Sequence, residues 1–99
     1  MRGGNKMSAM KFIRQPTVAA VKMIYEFTDG VRFLVSNFTD GDIYVSDQKD
    51  ATKENSIIIP AQCARIILIN EYNTHTISNI QIIPDTTSPK GVEVQCIRW

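Results

Sequence analysis

The sequence predicts an all-β chain, a single antiparallel β-sandwich or jelly-roll-like domain of about seven to eight strands with an extended N-terminal arm. Three observations predict it. Short runs rich in Val, Ile, Phe and Tyr alternate apolar and polar residues with period two. Turn-forming clusters break these runs every 8 to 12 residues or so, and no stretch holds a helical apolar period convincingly. The tetrapeptide Phe-Thr-Asp-Gly occurs twice, at Phe27–Gly30 and Phe38–Gly41, each time between apolar runs. Asp-Gly there predicts tight hairpin turns, because Gly takes positive φ freely and Asp tolerates it.

Met1 to Ala9 contains Gly, Asn and Ser without periodicity and reads as an arm without structure of its own. Lys11–Arg14 is a short first strand stopped by Pro16, so the division expected is an arm over 1–15 and a sandwich over 16–99. From Val18 to Thr28, Ala19, Val21, Met23, Tyr25 and Phe27 share one face. A helix over Val18 to Tyr25 competes, but the β-branched and aromatic content fits a pleated surface better. Val31, Phe33 and Val35 point inward in the next strand, with Leu34 outside or under an edge. Ile43 and Val45 follow inward, with Tyr44 and Ser46 outward, and Asp47 to Asn55 is a polar surface loop.

Ser56-Ile57-Ile58-Ile59-Pro60 is apolar on both faces, the pattern of a strand covered on both sides, and Pro60 ends it. Arg65 to Ile69 is a further strand before the polar loop Asn70 to Ser78. Ile80 and Ile82 flank Gln81 in a strand closed by Pro84, and Val92, Val94 and Cys96 form the inner face of the last strand.

Composition narrows the function classes. The 99 residues carry 43% hydrophobic and 21% charged residues, the balance of one ordinary globular domain. A formal charge of +1 does not fit a strongly basic nucleic-acid binder, so no specific nucleic acid is expected. Charge is uneven, however: Arg2, Lys6, Lys11, Arg14 and Lys22 all precede the first acidic residue, Glu26. A basic leading segment on an acidic body points to an acidic neighbour, with a merely solvated leader as the competing reading. Neither a signal peptide nor an apolar run of membrane-spanning length is visible, which predicts a soluble chain made in the cytosol with no membrane partner.

Cys63 and Cys96, with His75 the one histidine, are too few for a four-ligand zinc site and read as two buried free thiols. His75 in a polar loop, without a nucleophile signature, reads as a surface residue, and no enzyme, cofactor or metal is expected. Asp40 and Asp42, near Asn37, Asp47 and Asp50, miss the spacing of a calcium loop. Tyr44, Tyr72 and Trp99 could form a sugar-binding platform, which makes a carbohydrate-binding or host-adhesion module the alternative function. The favoured role for these rings is packing at a sheet edge and at the chain end. With Val92, Val94 and Cys96 inward, Ile97 and Trp99 lie outward, and Leu34 and Ile24 extend an apolar contact surface.

Val31–Asn37, Asp42–Ser46, Ile57–Ala61 and Gly91–Val94 together resemble the small β-sandwich proteins of tailed-bacteriophage virions. In those modules a strand ending in Asn turns into an Ile-Tyr-Val strand, then come a proline-bounded apolar strand and a closing Val-x-Val strand. The likeness runs over about two-thirds of the chain and carries no functional residue. Pro60-Ala61-Gln62 departs from the Pro-Ala-Gly or Pro-Gly often found after the apolar strand.

The resemblance implies a non-enzymatic virion structural protein, of the capsid-decoration, connector, tail or fibre-base kind, assembled in the host bacterial cytoplasm. Its partners would be other virion proteins and further copies of itself, with a trimer the oligomer suggested. The contact residues expected are Arg2, Lys6, Lys11 and Arg14 of the arm and Ile97 and Trp99 of the last strand.

Overall fold

A computed structural model of the chain describes residues 11–28, 32–48, 50–68 and 77–98. Eight strands follow one another: β1 (Lys11–Thr17), β2 (Met23–Thr28), β3 (Arg32–Asn37), β4 (Ile43–Ser46), β5 (Ile57–Ile59), β6 (Ala64–Leu68), β7 (Ile77–Pro84) and β8 (Ser88–Arg98). Among the described residues the one helical element is a 3₁₀ turn at Lys53–Asn55, capped by Thr52. The strands form two four-stranded antiparallel sheets, a front sheet ordered β1-β8-β3-β6 and a back sheet ordered β2-β7-β4-β5.

One core lies between them in a sandwich-like arrangement. Phe33, Val35, Val92, Val94 and Cys96 come from the front sheet, and Tyr25, Ile43, Val45, Ile59, Ile80 and Ile82 from the back sheet. Ile13, Met23 and Ile67 close its margins. Phe33, Val35, Ile43, Val45, Ile80, Ile82, Val92, Val94 and Cys96, all expected inward, are buried, because alternation turns each of them to the same side of its strand; Val31, also expected inward, lies outside the described residues.

The expected hairpins do not form. Apart from β4 and β5, which pair across residues 47–56, consecutive strands lie in different sheets or do not pair. The ladders join β1 with β8, β2 with β7, β3 with β6 and β4 with β5, the pattern of one long hairpin folded at its middle. Asp29-Gly30 lies outside the described residues, while Asp40-Gly41 sits where the chain crosses from front to back sheet.

Side chains take over the backbone at that crossing. Asn37 Oδ1 accepts from Thr39 N at 2.9 Å and from Thr39 Oγ1 at 2.7 Å. Asn37 Nδ2 faces the carbonyls of Gly41, Ile59 and Pro60 at 2.9, 2.9 and 3.1 Å. An Asx turn of this kind offers the chain a local alternative to a hairpin ladder. A Cβ on Gly41 would lie 2.6 Å from Thr86 Cγ2, so any larger residue there must push the Thr86 side chain aside.

Other expectations change at the sheet edges. β1 continues through Pro16 to Thr17, and its register against β8 shifts between Gln15 and Thr17. Gly91 takes up the shift with φ +63, and a Cβ on it would collide with the Gln15 carbonyl oxygen. Val18 and Val21 are exposed rather than inward, because β2 begins only at Met23 and Ala19-Ala20 form a turn, with Ala20 at φ 65. β5 is an edge strand in which Ile59 alone is buried and Ile57 and Ile58 are exposed, not a strand covered on both sides. Cys63 is an exposed free thiol in the turn after β5, and only Cys96 is buried.

Candidate functional site

The outer faces of the two sheets differ in what covers them. On the back sheet, Gln81 and Ser46 point away from the core yet are only 2% and 8% exposed. Ala51 and Gln48 lie against them: the Ala51 amide donates to Gln81 Oε1 at 3.4 Å and the Gln48 amide to Ser46 Oγ at 3.0 Å, and Ala51 is buried as well. Lys53 Nζ reaches Asp85 Oδ1 at 2.7 Å and stands 5.1 Å from the centre of the Tyr44 ring. The Tyr44 hydroxyl donates to Asp85 Oδ2 at 3.4 Å. Desolvation first, then the negative charge of Asp85, raises the Tyr44 pKa, and the hydrogen bond to Asp85 raises that of Lys53. One face of the Tyr44 ring is thus occupied, and Tyr72 and Trp99, the other rings of the expected sugar platform, lie outside the described residues.

Among the described residues no segment covers the front sheet in this way. Register aligns Phe12 of β1, Gln95 of β8, Leu34 of β3 and Ile66 of β6 in one row across the sheet. Successive strands are about 4.8 Å apart, so the row is about 14 Å wide. Its parity is opposite to that of Ile13, Val94, Val35 and Ile67, which turn toward the core, so the row faces away from it. A second row places Arg14 beside Glu93, Ser36 and Ala64. Leu68 stands opposite Arg32, and Ile97 falls at the register shift between Arg32 and Phe33.

Phe12, Ile66, Leu68 and Ile97 are 50%, 58%, 53% and 39% exposed, and Leu34 is half-buried beside them. Single exposed apolar residues are ordinary, but several large ones aligned on one sheet face form the kind of surface that proteins bury against a partner.

Of the expected contact residues, Arg2, Lys6 and Trp99 lie outside the described residues. Lys11 opens β1 with its backbone opposite Cys96, inside the span expected as arm. Arg14 and Ile97 do come onto the same face, because β1 pairs directly with β8. The Arg14 guanidinium is 3.5 Å from Glu93 Oε1, an exposed pair that contributes little stability. Ile24, expected to extend the patch, is exposed on the opposite side of the molecule, on β2.

Phe12, Ile66 and Leu68 were not singled out by sequence reasoning. A signal was present: Ile66-Ile67-Leu68 has no alternation, so with Ile67 turned inward its two neighbours must face outward.

Chemistry-bearing groups are sparse. His75 lies outside the described residues, and among the described ones no three His, Cys, Asp or Glu side chains come together as metal ligands. Asp40 is exposed, and the Asp42 carbonyl accepts from the Asp85 amide at 3.0 Å. A shallow depression of about 450 Å³ is lined by Arg14, Phe38, Gln62, Pro89 and Lys90. Two of its polar groups are already engaged, Arg14 with Glu93 and Gln62 Nε2 with the carbonyls of Phe38 and Thr39. No described helix is long and apolar enough to cross a membrane. Compared with family models, curated proteins and solved structures, the chain matches none of them.

Proposed function

We propose that the chain is a non-enzymatic jelly-roll subunit of a virion, attached to neighbouring capsid, connector or tail subunits through the outer face of its front sheet. The observation that carries the attachment is the exposed apolar cluster of Phe12, Ile66, Leu68 and Ile97 on the outer face of the front sheet, larger than the Ile24 and Ile58 left exposed on the outer face of the back sheet, where Ala51 covers Gln81. Supporting the jelly roll is the strand order itself. Ladders 1–8, 2–7, 3–6 and 4–5, divided between sheets ordered β1-β8-β3-β6 and β2-β7-β4-β5, are what a folded antiparallel ribbon gives when it rolls up. The virion assignment rests on the resemblance of the β3, β4, β5 and β8 sequences to phage virion modules.

β1 and β8 lie side by side and antiparallel, so the start of β1 and the end of β8 fall together at one end of the front sheet. The basic residues that the sequence carries ahead of β1 would add attraction to an acidic neighbour. Repetition on a symmetric particle would multiply weak contacts into firm attachment.

The test is co-sedimentation. Particles purified on a density gradient are probed for the chain by quantitative mass spectrometry, in wild type and in a Phe12→Glu/Ile97→Glu variant. The reading expects a fixed copy number in wild-type particles and loss from the variant, whose fold is checked by circular dichroism. A wild-type chain found free at the top of the gradient overturns it.

A further inference from the structure

Formal charge divides between the two sides of the sandwich. The four strands of the front sheet hold six basic residues and one acidic residue, Glu93. The back-sheet strands, with the stretches 18–22, 38–42, 47–56 and 85–87 that lead into and out of them, hold seven acidic and three basic residues. Two front faces laid together would set like charge against like, so the face suits a surface of opposite sign.

The basic charge has a focus. The depression of about 450 Å³ lined by Arg14, Phe38, Gln62, Pro89 and Lys90 lies where β3 ends and β8 begins. Arg14 belongs both to its wall and to the outer row of Arg14, Glu93, Ser36 and Ala64, so the depression continues the face that carries the apolar cluster. Lys90 is exposed, and among the described residues no carboxylate pairs with it. Arg14 meets Glu93 at 3.5 Å. Two cations and that single carboxylate leave one positive charge over, which one further carboxylate would neutralise.

We propose that this depression is a socket for an Asp or Glu side chain of the partner, a protein surface that joins this carboxylate to apolar side chains laid over Phe12, Ile66, Leu68 and Ile97. The inference rests on the attachment reading above and names the chemistry of its partner. The apolar cluster selects a protein over a nucleic acid or a small anion, because phosphates would answer the cations and leave four large apolar side chains in water. Charge selects an acidic protein over the front face of a second copy. Phe12 and Arg14 stand two residues apart on one strand face, about 7 Å, so an extended segment with apolar and then acidic residues at alternate positions matches the face.

The experiment adds peptide probes to the purified, isotope-labelled full chain. The first is Leu-Ser-Leu-Ser-Glu-Ser-Glu, and its companions carry Gln or Lys in place of both Glu. Amide shifts in NMR spectra should map the Glu peptide to 12–14 and 89–95, with the Gln and Lys peptides weaker by about tenfold or more. Lys90→Glu should weaken the Glu peptide by about tenfold or more and strengthen the Lys peptide. Lys22→Glu, the same change of charge beside the back sheet, should alter neither. Raising NaCl from about 50 to about 500 mM should weaken the Glu peptide and leave the Gln peptide nearly unchanged. Sedimentation velocity of the free chain at the lower salt should show a monomer.

Equal binding of the three peptides, shifts confined to the back sheet, or no binding of the Glu peptide at millimolar concentration overturns the proposal. Self-association of the free chain that Lys90→Glu abolishes makes another copy the occupant and overturns it too. These readouts need no particle: charge-selective binding at Lys90 stands even if particles lack the chain. A chain that is found on particles and binds all three peptides alike keeps the attachment and loses the socket.

Discussion

Replacing Asn37 with alanine should unlock the crossing from β3 to β4 and its tie to the end of β5. Asn37 is 1% exposed, and its side-chain amide bonds both the Thr39–Gly41 turn and the end of β5. Of the carbonyls it serves, Gly41 O can take the Thr39 hydroxyl, whose proton the loss of Oδ1 frees, and Pro60 O keeps the Cys63 amide, so the loss there is partial. The Thr39 amide, in contrast, loses its Oδ1 acceptor in a buried setting. Two amide-donated bonds at about 1 kcal/mol each, plus about 1–3 kcal/mol for a buried unsatisfied N–H, give about 3–5 kcal/mol.

That is a large part of the total stability of a domain this size, and it should lower Tm by about 15 °C or more. Urea unfolding followed by circular dichroism measures it, and an unchanged m-value assigns the loss to the folded state. Asn37→Asp separates donor from acceptor. It keeps an acceptor for Thr39 but turns a carboxylate toward three carbonyl oxygens, which raises its folded pKa above the unfolded value. Its destabilisation should therefore ease as pH falls toward 4, roughly the unfolded carboxyl value. A loss under about 1 kcal/mol in Asn37→Ala, or a pH-independent Asn37→Asp, would refute the reasoning.

Burial pushes the pKa of Tyr25 up to about 12, and its hydroxyl donates to Gln15 Oε1 at 2.6 Å. Its contribution is complete below pH 10 and is lost as pH rises through the folded value; discounted for partial solvent access, the loss is about 1–2 kcal/mol, read as the wild-type minus Tyr25→Phe difference in urea midpoints between pH 9 and 12. Gly91→Ala, forced into positive φ against the Gln15 carbonyl, should cost about 2 kcal/mol or more, whereas an equal or higher urea midpoint would mean that the bulge is not held. A thiol reagent should label Cys63 quickly in the native chain and Cys96 only on unfolding; two equally fast thiols would contradict the burial of Cys96.

Much of the fold was legible because period-two alternation is a local signal. Phe33 and Val35, Ile43 and Val45, or Val92 and Val94 declare their inner face within a few residues. Strand pairing was not legible. Asp-Gly looks like a hairpin turn wherever it occurs, and what overrides it at Asp40-Gly41 is Asn37 bonding to Ile59 and Pro60, 22 and 23 residues away.

The triple isoleucine of β5 misled for a related reason: an apolar run marks double burial only in a central strand, and edge position is a property of the whole sheet. Part of the candidate face was visible in Arg14, Leu34 and Ile97. The rest, Phe12, Ile66 and Leu68, becomes a face only once β1, β8, β3 and β6 lie side by side. The roof over the back sheet was hidden too, because Ala51 looks like one more residue of a polar loop until it is set against Gln81.

The central claim, that the front-sheet outer face is the attachment surface, is tested most directly by hydroxyl-radical footprinting of the chain in purified particles and free in solution. The account predicts that labelling of Phe12, Ile66, Leu68 and Ile97 falls on the particle while Val18, Val21 and Ile24, equally exposed elsewhere, label as before. Protection of Val18, Val21 and Ile24 with the front-sheet residues unchanged would contradict it.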